Sequence, residues 1–378
     1  MAEENTMRNR LIPLAMLRFF PAALAALAVV WLLSPTCATA RPLTEERLKA
    51  FEAYTVGDDQ ARDLVRPVDR PRFISVPNAS LVLERDEVVF VEEAPDGVVR
   101  IYPRLVLLRH EVVNIAGDEQ FRCVTYCPFT GSLIGYIGRI EGDATSLGTT
   151  NQLLNSNRIL YDRSTGARWP QILGQAIDGP VKGEFLQRFG LLWTTWERAR
   201  EVYPDAQVLS RPRSGPNVNY SRDPYGSYRR SGTYYDTGGS YYPLLHTDTR
   251  VHPKTRVIGL ADHGGSALAI NKDTVKQVKA VTLGFGLNPI AAFYDPQLDT
   301  VRTFAATVND RPLHFELVDG VIRDTETHTQ WNHHGVAVQG RLRETRLAPM
   351  PGMDCMWFAW KAFHNHTQYW DGETLYPY

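Results

Sequence analysis

The segment Asp162-x-x-Thr165-x-x-x-Trp169 returns 162 residues later as Asp324-x-x-Thr327-x-x-x-Trp331. A glycine box follows each copy, Gly174-x-Ala176-Ile177-x-Gly179 and then Gly335-x-Ala337-Val338-x-Gly340. Each copy ends in paired tryptophans, Trp193-x-x-Trp196 and Trp357-x-x-Trp360. Further upstream, Tyr126-Cys127-Pro128 stands opposite Tyr294-Asp295-Pro296. Self-similarity at a nearly fixed offset makes the repeat the unit of folding. The expectation is a tandem duplication: a first lobe over 72–210 and a second, degenerate lobe over 255–378. A Tyr/Gly/Pro-rich connector over 211–254 joins them, and a lead-in over 41–71 precedes them.

Within each lobe, period and punctuation predict mixed structure. Leu105, Leu108 and Val112 recur at helical spacing after Pro103, which predicts a buried helix over 104–114. Phe121 to Cys127 is a β-branched and aromatic run stopped by Pro128, hence a strand. The stretch from Ile159 to Trp169 turns at Asp162–Gly166 and reads as a hairpin. Thr194 with Glu197 forms a capping box for a helix that Pro204 ends. Strands and helices alternate irregularly, so the expected fold class is α+β, with two pseudo-repeated mixed α/β lobes.

Of 378 residues, 43% are hydrophobic and 22% charged, the composition of a globular chain. The formal net charge of -1 supplies no basic field for a phosphate backbone, which argues against nucleic acid as a partner. Arg8, Arg10 and Arg18 precede an apolar run from Phe19 to Leu33 and an Ala38-Thr39-Ala40 box. That order predicts a secretory signal peptide over 1–40 and an exported protein, periplasmic or extracellular, or tethered if the segment is retained. No later run approaches the roughly 20 apolar residues of a spanning helix, so no integral membrane span is expected after cleavage.

Three cysteines follow the signal segment: Cys123, Cys127 and Cys355. Cys123 and Cys127 lie on one strand, roughly 13 Å apart at about 3.3 Å per residue, too far for a disulfide. A cysteine leaving a strand into Pro128-Phe129-Thr130-Gly131 suits a stabilised thiolate. His110 and Glu111 sit just upstream, and His110 off the apolar stripe is a candidate base for Cys127 or a shared metal ligand. The amides of Asn155 and Asn157 are candidate oxyanion or substrate contacts. Against these stand plainer roles: a core cysteine, a satisfied helix histidine, and loop caps. In the second copy Val278 replaces His110 and Asp295 replaces Cys127, which predicts one working site, in the first lobe. Asp162 and Trp169 occur in both copies and read as structural. His246, His252, His263, His328, His333 and His334 show no metal-motif spacing, although His333-His334 with His364-x-His366 would make an adventitious site. Phosphate loops, dinucleotide glycine patterns, HExxH and GxSxG are missing from the sequence.

Several further strings carry a resemblance. Ile101-Tyr102-Pro103, Arg109 to Asn114, Val124 to Pro128, Leu154 to Asn157 and Leu160-Tyr161-Asp162 are among them. So are Trp169-Pro170-Gln171, Asp223 to Gly226 and Pro253 to Gly259. In order, over nearly all of 72–370, they resemble the domain of unknown function 3179 family. The resemblance implies an exported prokaryotic protein of no established activity. That family commonly reads Cys-Pro-x-Cys-Gly at the turn where this chain has Cys127-Pro128-Phe129-Thr130-Gly131. Thr130 therefore stands in place of a second thiol. Three functions follow as expectations. One is a thiol-dependent enzyme acting on a small molecule, with Cys127 as nucleophile and His110 as base. The second is a soft-metal module, copper above all, held by Cys127 and His110. The third is a non-catalytic envelope binding scaffold with Cys127 in its core.

Overall fold

The structure, a computed structural model, describes residues 43–117, 120–212, 218–228 and 230–372, and the backbone of 375–376. The signal segment, 1–40, lies outside the described residues. What is described is a mixed α/β, sheet-rich protein with six short helices. Among the described residues no helix is long and apolar enough to cross a membrane.

Both halves run through the same elements. In the first, strands Val88–Glu93 and Val99–Pro103 form a hairpin, and helix Arg104–His110 follows. The strands Val112–Ala116, Phe121–Cys127 and Ser132–Ile140 then make an antiparallel meander. In the second, hairpin Arg256–Ala261/Ala267–Asn271 leads to helix Lys272–Val278 and the meander Ala280–Phe285, Asn288–Asp295, Thr300–Ala305. Each hairpin is flanked by one antiparallel and one parallel strand that a helix connects. Leu192–Thr195 and Gln207–Leu209 do this in the first half, and Met353–Met356 and Gln368–Trp370 in the second.

Local bonding repeats as well. The helix ends on Glu111 in the left-handed region (φ 56°), and Lys279 occupies the same place at φ 70°. The Glu111 carbonyl accepts from Tyr126 N at 2.8 Å, and the Lys279 carbonyl from Tyr294 N at 2.8 Å. Asp162 accepts from Thr165 N and Oγ1 and from Trp169 Nε1, just as Asp324 accepts from Thr327 and Trp331. A buried carboxylate ringed by these donors fixes a tight turn and seats an indole in the core. Burial opposes ionisation of Asp162, but the bonds from Thr165, Trp169 and Ser164 outweigh it and hold its pKa below the ordinary range.

The halves share a ten-stranded sheet. Met353–Met356, at the edge of the second-half hairpin, pairs with Ser132–Ile140 of the first-half meander through Asp354 and Leu133. The described residues accordingly belong to one compact unit. Aromatic side chains of 220–242 pack over the junction: Tyr228 stacks on Tyr235 at 3.8 Å, and Tyr234 on Tyr241 at 4.4 Å.

Three local expectations change. The helix predicted over 104–114 stops at His110, because Glu111 N bonds back to Leu107 and β-branched Val112 and Val113 pair with Thr125 and Val124. The capping box is not formed. Thr195 is the N-cap without a side-chain bond, Thr194 donates instead to the Leu298 carbonyl, and Glu197 pairs with Arg85. The tryptophan match is displaced by one helical turn, since Trp196 and Trp357 each open their helix and are the equivalent pair.

Candidate functional site

Cys127 ends its strand fully buried, packed against Phe129 and Leu153 with Tyr225 and Tyr242 over it. Its Sγ lies 3.8 Å from the Ser156 carbonyl. Burial pushes the thiol pKa up and the neighbouring Glu111 carboxylate pushes it further, against a smaller opposing pull from the Thr130 hydroxyl. Burial beside a carboxylate favours the neutral thiol, even with the Arg158 guanidinium close by to oppose it. Cys123 and Cys355 are also free and buried, in a different part of the core from Cys127.

Glu111 is buried and paired. Its two oxygens accept from Arg158 Nε at 2.6 Å and Nη2 at 2.8 Å, and both side chains are buried. Arg158 Nη1 donates to the Thr150 carbonyl at 3.1 Å. Burial works against the Arg158 cation, but the Glu111 charge and bonds more than offset it and raise its pKa.

His110 is bonded elsewhere. Nδ1 donates to the Arg66 carbonyl at 2.6 Å, and Nε2 accepts from the Tyr220 hydroxyl at 2.7 Å while the two rings stack. Burial lowers its pKa, with the Arg66 carbonyl opposing. With both ring nitrogens taken by these partners, neither is bonded to Cys127.

The two amides are equally engaged. Asn155 and Ser156, at φ 54° and 63°, form the two-residue loop between the paired Leu154 and Asn157. Asparagine tolerates the left-handed backbone such a hairpin needs. Asn155 Oδ1 accepts from Leu245 N at 2.7 Å, and its Nδ2 donates to the Ala362 carbonyl at 3.3 Å, tying the connector and the last helix to the hairpin. Asn157 Nδ2 is shared among Thr130 Oγ1, Ser132 Oγ and Gln171 Oε1 at 2.8–3.1 Å, and its Oδ1 accepts from Ile172 N. Thr130 is a member of this buried network, its hydroxyl bonded to Ser132 Oγ at 2.8 Å.

Two groupings escaped sequence reasoning. The first is a cleft of ≈ 1060 Å³ between the halves, lined among others by Glu93, Arg122, Arg188, Arg302 and Arg346. Arg122 pairs with buried Glu92, and Arg302 pairs with Glu93 at 2.7 and 2.8 Å and with Asp295 at 2.9 Å. Arg188 donates to the Ile172 and Leu173 carbonyls, each at 3.1 Å. Among the described residues no carboxylate is paired with Arg188 or Arg346. The four arginines are scattered over 224 positions, so no local pattern in the chain announces them.

The second grouping is Asp295, His333 and His334, whose ligand atoms all lie within 4.8 Å of one another. Asp295 is fully buried, and its Oδ1 accepts from Gln297 N and Leu298 N. His333 is not combined with His364, which instead stacks on Trp360. Burial lowers the pKa of both imidazoles, and Arg302 nearby lowers them further, while Asp295 pulls the other way. The signal for this group was present, since Asp295 already stood opposite Cys127 in the repeat.

Fold and sites define a class without an assigned chemistry: a sheet-rich α/β protein with an arginine-lined cleft between two similarly built halves. The chain belongs to the family described as protein of unknown function (DUF3179), whose model matches residues 62–367. No curated protein and no solved structure matches it.

Proposed function

We propose that this is an exported binding protein, a scaffold rather than an enzyme, that holds a small anionic ligand in the cleft between its halves. The carrying observation is the charge of that cleft, where four arginines face one carboxylate and two of them have no carboxylate partner among the described residues. Arginine's fork suits bidentate recognition of carboxylate or phosphate oxygens. The N-terminal 40 residues act as the export signal. The matched element order and bonding of the halves support descent from a tandem duplication, with the cleft at the seam.

Two other readings, a Cys127-dependent enzyme and a copper-holding thiolate, both need Cys127 to ionise at neutral pH. Its burial, the adjacent Glu111 carboxylate and the engagement of His110 with Arg66 and Tyr220 favour the scaffold. Calorimetric titration with inorganic phosphate and with a small dicarboxylate tests the anion reading. Binding that Arg346→Gln weakens is the expected result, because Arg346 is exposed and its loss leaves the fold intact. Absence of binding by either anion, or binding indifferent to Arg346→Gln, would overturn it. Iodoacetamide labelling separates the thiol readings. Cys127 should label only as fast as the fold opens, and fast labelling of native protein with an apparent pKa below the ~8.5 of a free thiol would restore the nucleophile.

A further inference from the structure

We infer that Asp295, His333 and His334 form a binding site for one divalent transition-metal ion, in the zinc class, with an open coordination position towards the cleft. The inference stands apart from the anion reading, because it uses neither Arg188 nor Arg346.

The argument begins with an orphaned atom. His333 Nε2 is buried and makes no hydrogen bond, and its nearest partner of opposite character is Asp295 Oδ1 at 3.5 Å. A buried imidazole nitrogen without a partner carries a desolvation cost of about 1–3 kcal/mol. The 3.5 Å separation is long for a hydrogen bond, whose N···O distance clusters near 2.9–3.0 Å. It is the right length for something else. With Zn–N and Zn–O bonds of about 2.0–2.2 Å, two ligand atoms on one tetrahedral ion lie about 3.4 Å apart. The His333 and Asp295 atoms therefore stand at the separation that an ion between them would set.

His334 supplies the third ligand. Its ring lies 4.3 Å from that of His333, centroid to centroid, and it lines the cleft. Two imidazoles and one carboxylate favour zinc and its first-row neighbours over magnesium or calcium, which take all-oxygen sites. Three protein ligands leave a fourth position for water or another small ligand, as in catalytic rather than structural zinc sites. The second shell is built as well. Arg302 Nε holds Asp295 Oδ2 at 2.9 Å, the Gln297 and Leu298 amides orient Oδ1, and Glu93 engages the Arg302 guanidinium through both oxygens. With Glu93, Asp295 and Arg302 together the pocket keeps one net negative charge for the cation.

The repeat gives the site a place in the fold. Asp295 ends the strand that corresponds to the one Cys127 ends. Gly335 N and O bond to Asn332 O and Leu347 N, as Gly174 N and O bond to Pro170 O and Leu186 N. His333 and His334 therefore sit where the first half has apolar Ile172 and Leu173. The same strand end thus carries a closed thiol in one half and an open imidazole–carboxylate set in the other.

The test is calorimetric titration of Zn(II) into the full chain, stripped by chelator dialysis and freed of any affinity tag, with Co(II) absorption as a second readout. One equivalent should bind, and Co(II) should give visible d–d bands. His333→Gln and His334→Gln, both at partly exposed positions, should each weaken Zn(II) at least a hundredfold, beyond the roughly 10–100-fold that outer-shell changes cost. His314→Gln, at an exposed histidine elsewhere, should bind like the unaltered chain. Circular dichroism verifies that the variants fold. No Zn(II) binding by the unaltered chain, or equal binding by folded His333→Gln and His334→Gln, overturns the site. Phosphate titration of the same variants distinguishes this failure from that of the anion reading, which Arg346→Gln tests separately.

Discussion

Glutamine at position 111 would remove a charge from the tightest buried ion pair near Cys127 while keeping the side chain's shape. Glu111 receives two bonds from Arg158, at 2.6 and 2.8 Å, and the two side chains are 5% and 8% exposed. In Glu111→Gln the guanidinium keeps the Thr150 carbonyl and one neutral amide oxygen but loses its counter-charge, and an uncompensated buried charge costs about 3–5 kcal/mol. Arg158→Met strands the carboxylate at a comparable cost. The double variant removes both charges and should lose far less than the sum, giving a coupling energy of about 3 kcal/mol. Urea unfolding followed by tryptophan fluorescence measures all three. Glu111→Gly provides a backbone control: it should regain about 1 kcal/mol of left-handed strain at φ 56° yet remain less stable than the parent. Single losses below about 1 kcal/mol, the range of exposed pairs, or a coupling near zero, would refute the assignment of this pair as a buried structural link. A further consequence reaches the thiol. Since Glu111 helps to hold Cys127 neutral, Glu111→Gln should lower the pH at which Cys127 labels.

Other perturbations address the repeat and the pH response. Gly174→Ala and Gly335→Ala should each destabilise by more than about 2 kcal/mol. Both positions have positive φ, and a Cβ would meet Tyr136 Oη at 2.7 Å in one half and the Phe304 ring at 2.8 Å in the other; thermal melts of the two variants check this. Asp162→Ala and Asp324→Ala should cost similar amounts, about 2–4 kcal/mol, by stranding an indole N–H and the turn amides, and a large inequality between them would contradict matched roles. Burial pushes the Glu87 carboxyl up to about 7. A group whose folded pKa is raised adds stability that is full below its unfolded value and is lost as pH rises through 7. Relative to Glu87→Gln, the parent should lose about 2–3 kcal/mol between pH 4 and pH 8, measured by urea unfolding at several pH values.

Much of the fold is written in short-range chemistry, which is why it can be read from the chain. Phe121 to Cys127 is the strand its β-branched run predicts, and the Asp162–Trp169 hairpin follows from one carboxylate satisfying the turn that it creates. Where the reading fails, tertiary structure wins over local period. Val112 continues the helical apolar stripe of Leu105 and Leu108, but a single left-handed residue at 111 releases Val112 and Val113 into a strand that also buries them. A buried strand and a buried helix both satisfy apolar side chains, so periodicity does not choose between them. The shared sheet could not be foreseen either, since it joins the halves through one pair, Asp354 and Leu133, with no signature in sequence.

The site residues divide along a different line. Cys127, His110, Asn155 and Asn157 were singled out by residue type, and each is a polar group whose bonding capacity neighbouring elements take up inside the fold. Type alone does not tell a reactive group from one buried and satisfied; the partner decides, and Arg66, Tyr220, Leu245 and Ala362 are distant in sequence from the groups they engage. Asp295 shows the converse. Replacement of the thiol by a carboxylate comes there with two histidines where the other half has Ile172 and Leu173, so one set of reactive groups stands in place of another. Between two similarly built halves the informative comparison is therefore between whole environments at corresponding strand ends. By that measure the second half, with an unpartnered imidazole facing a buried carboxylate, carries the more open chemistry of the two.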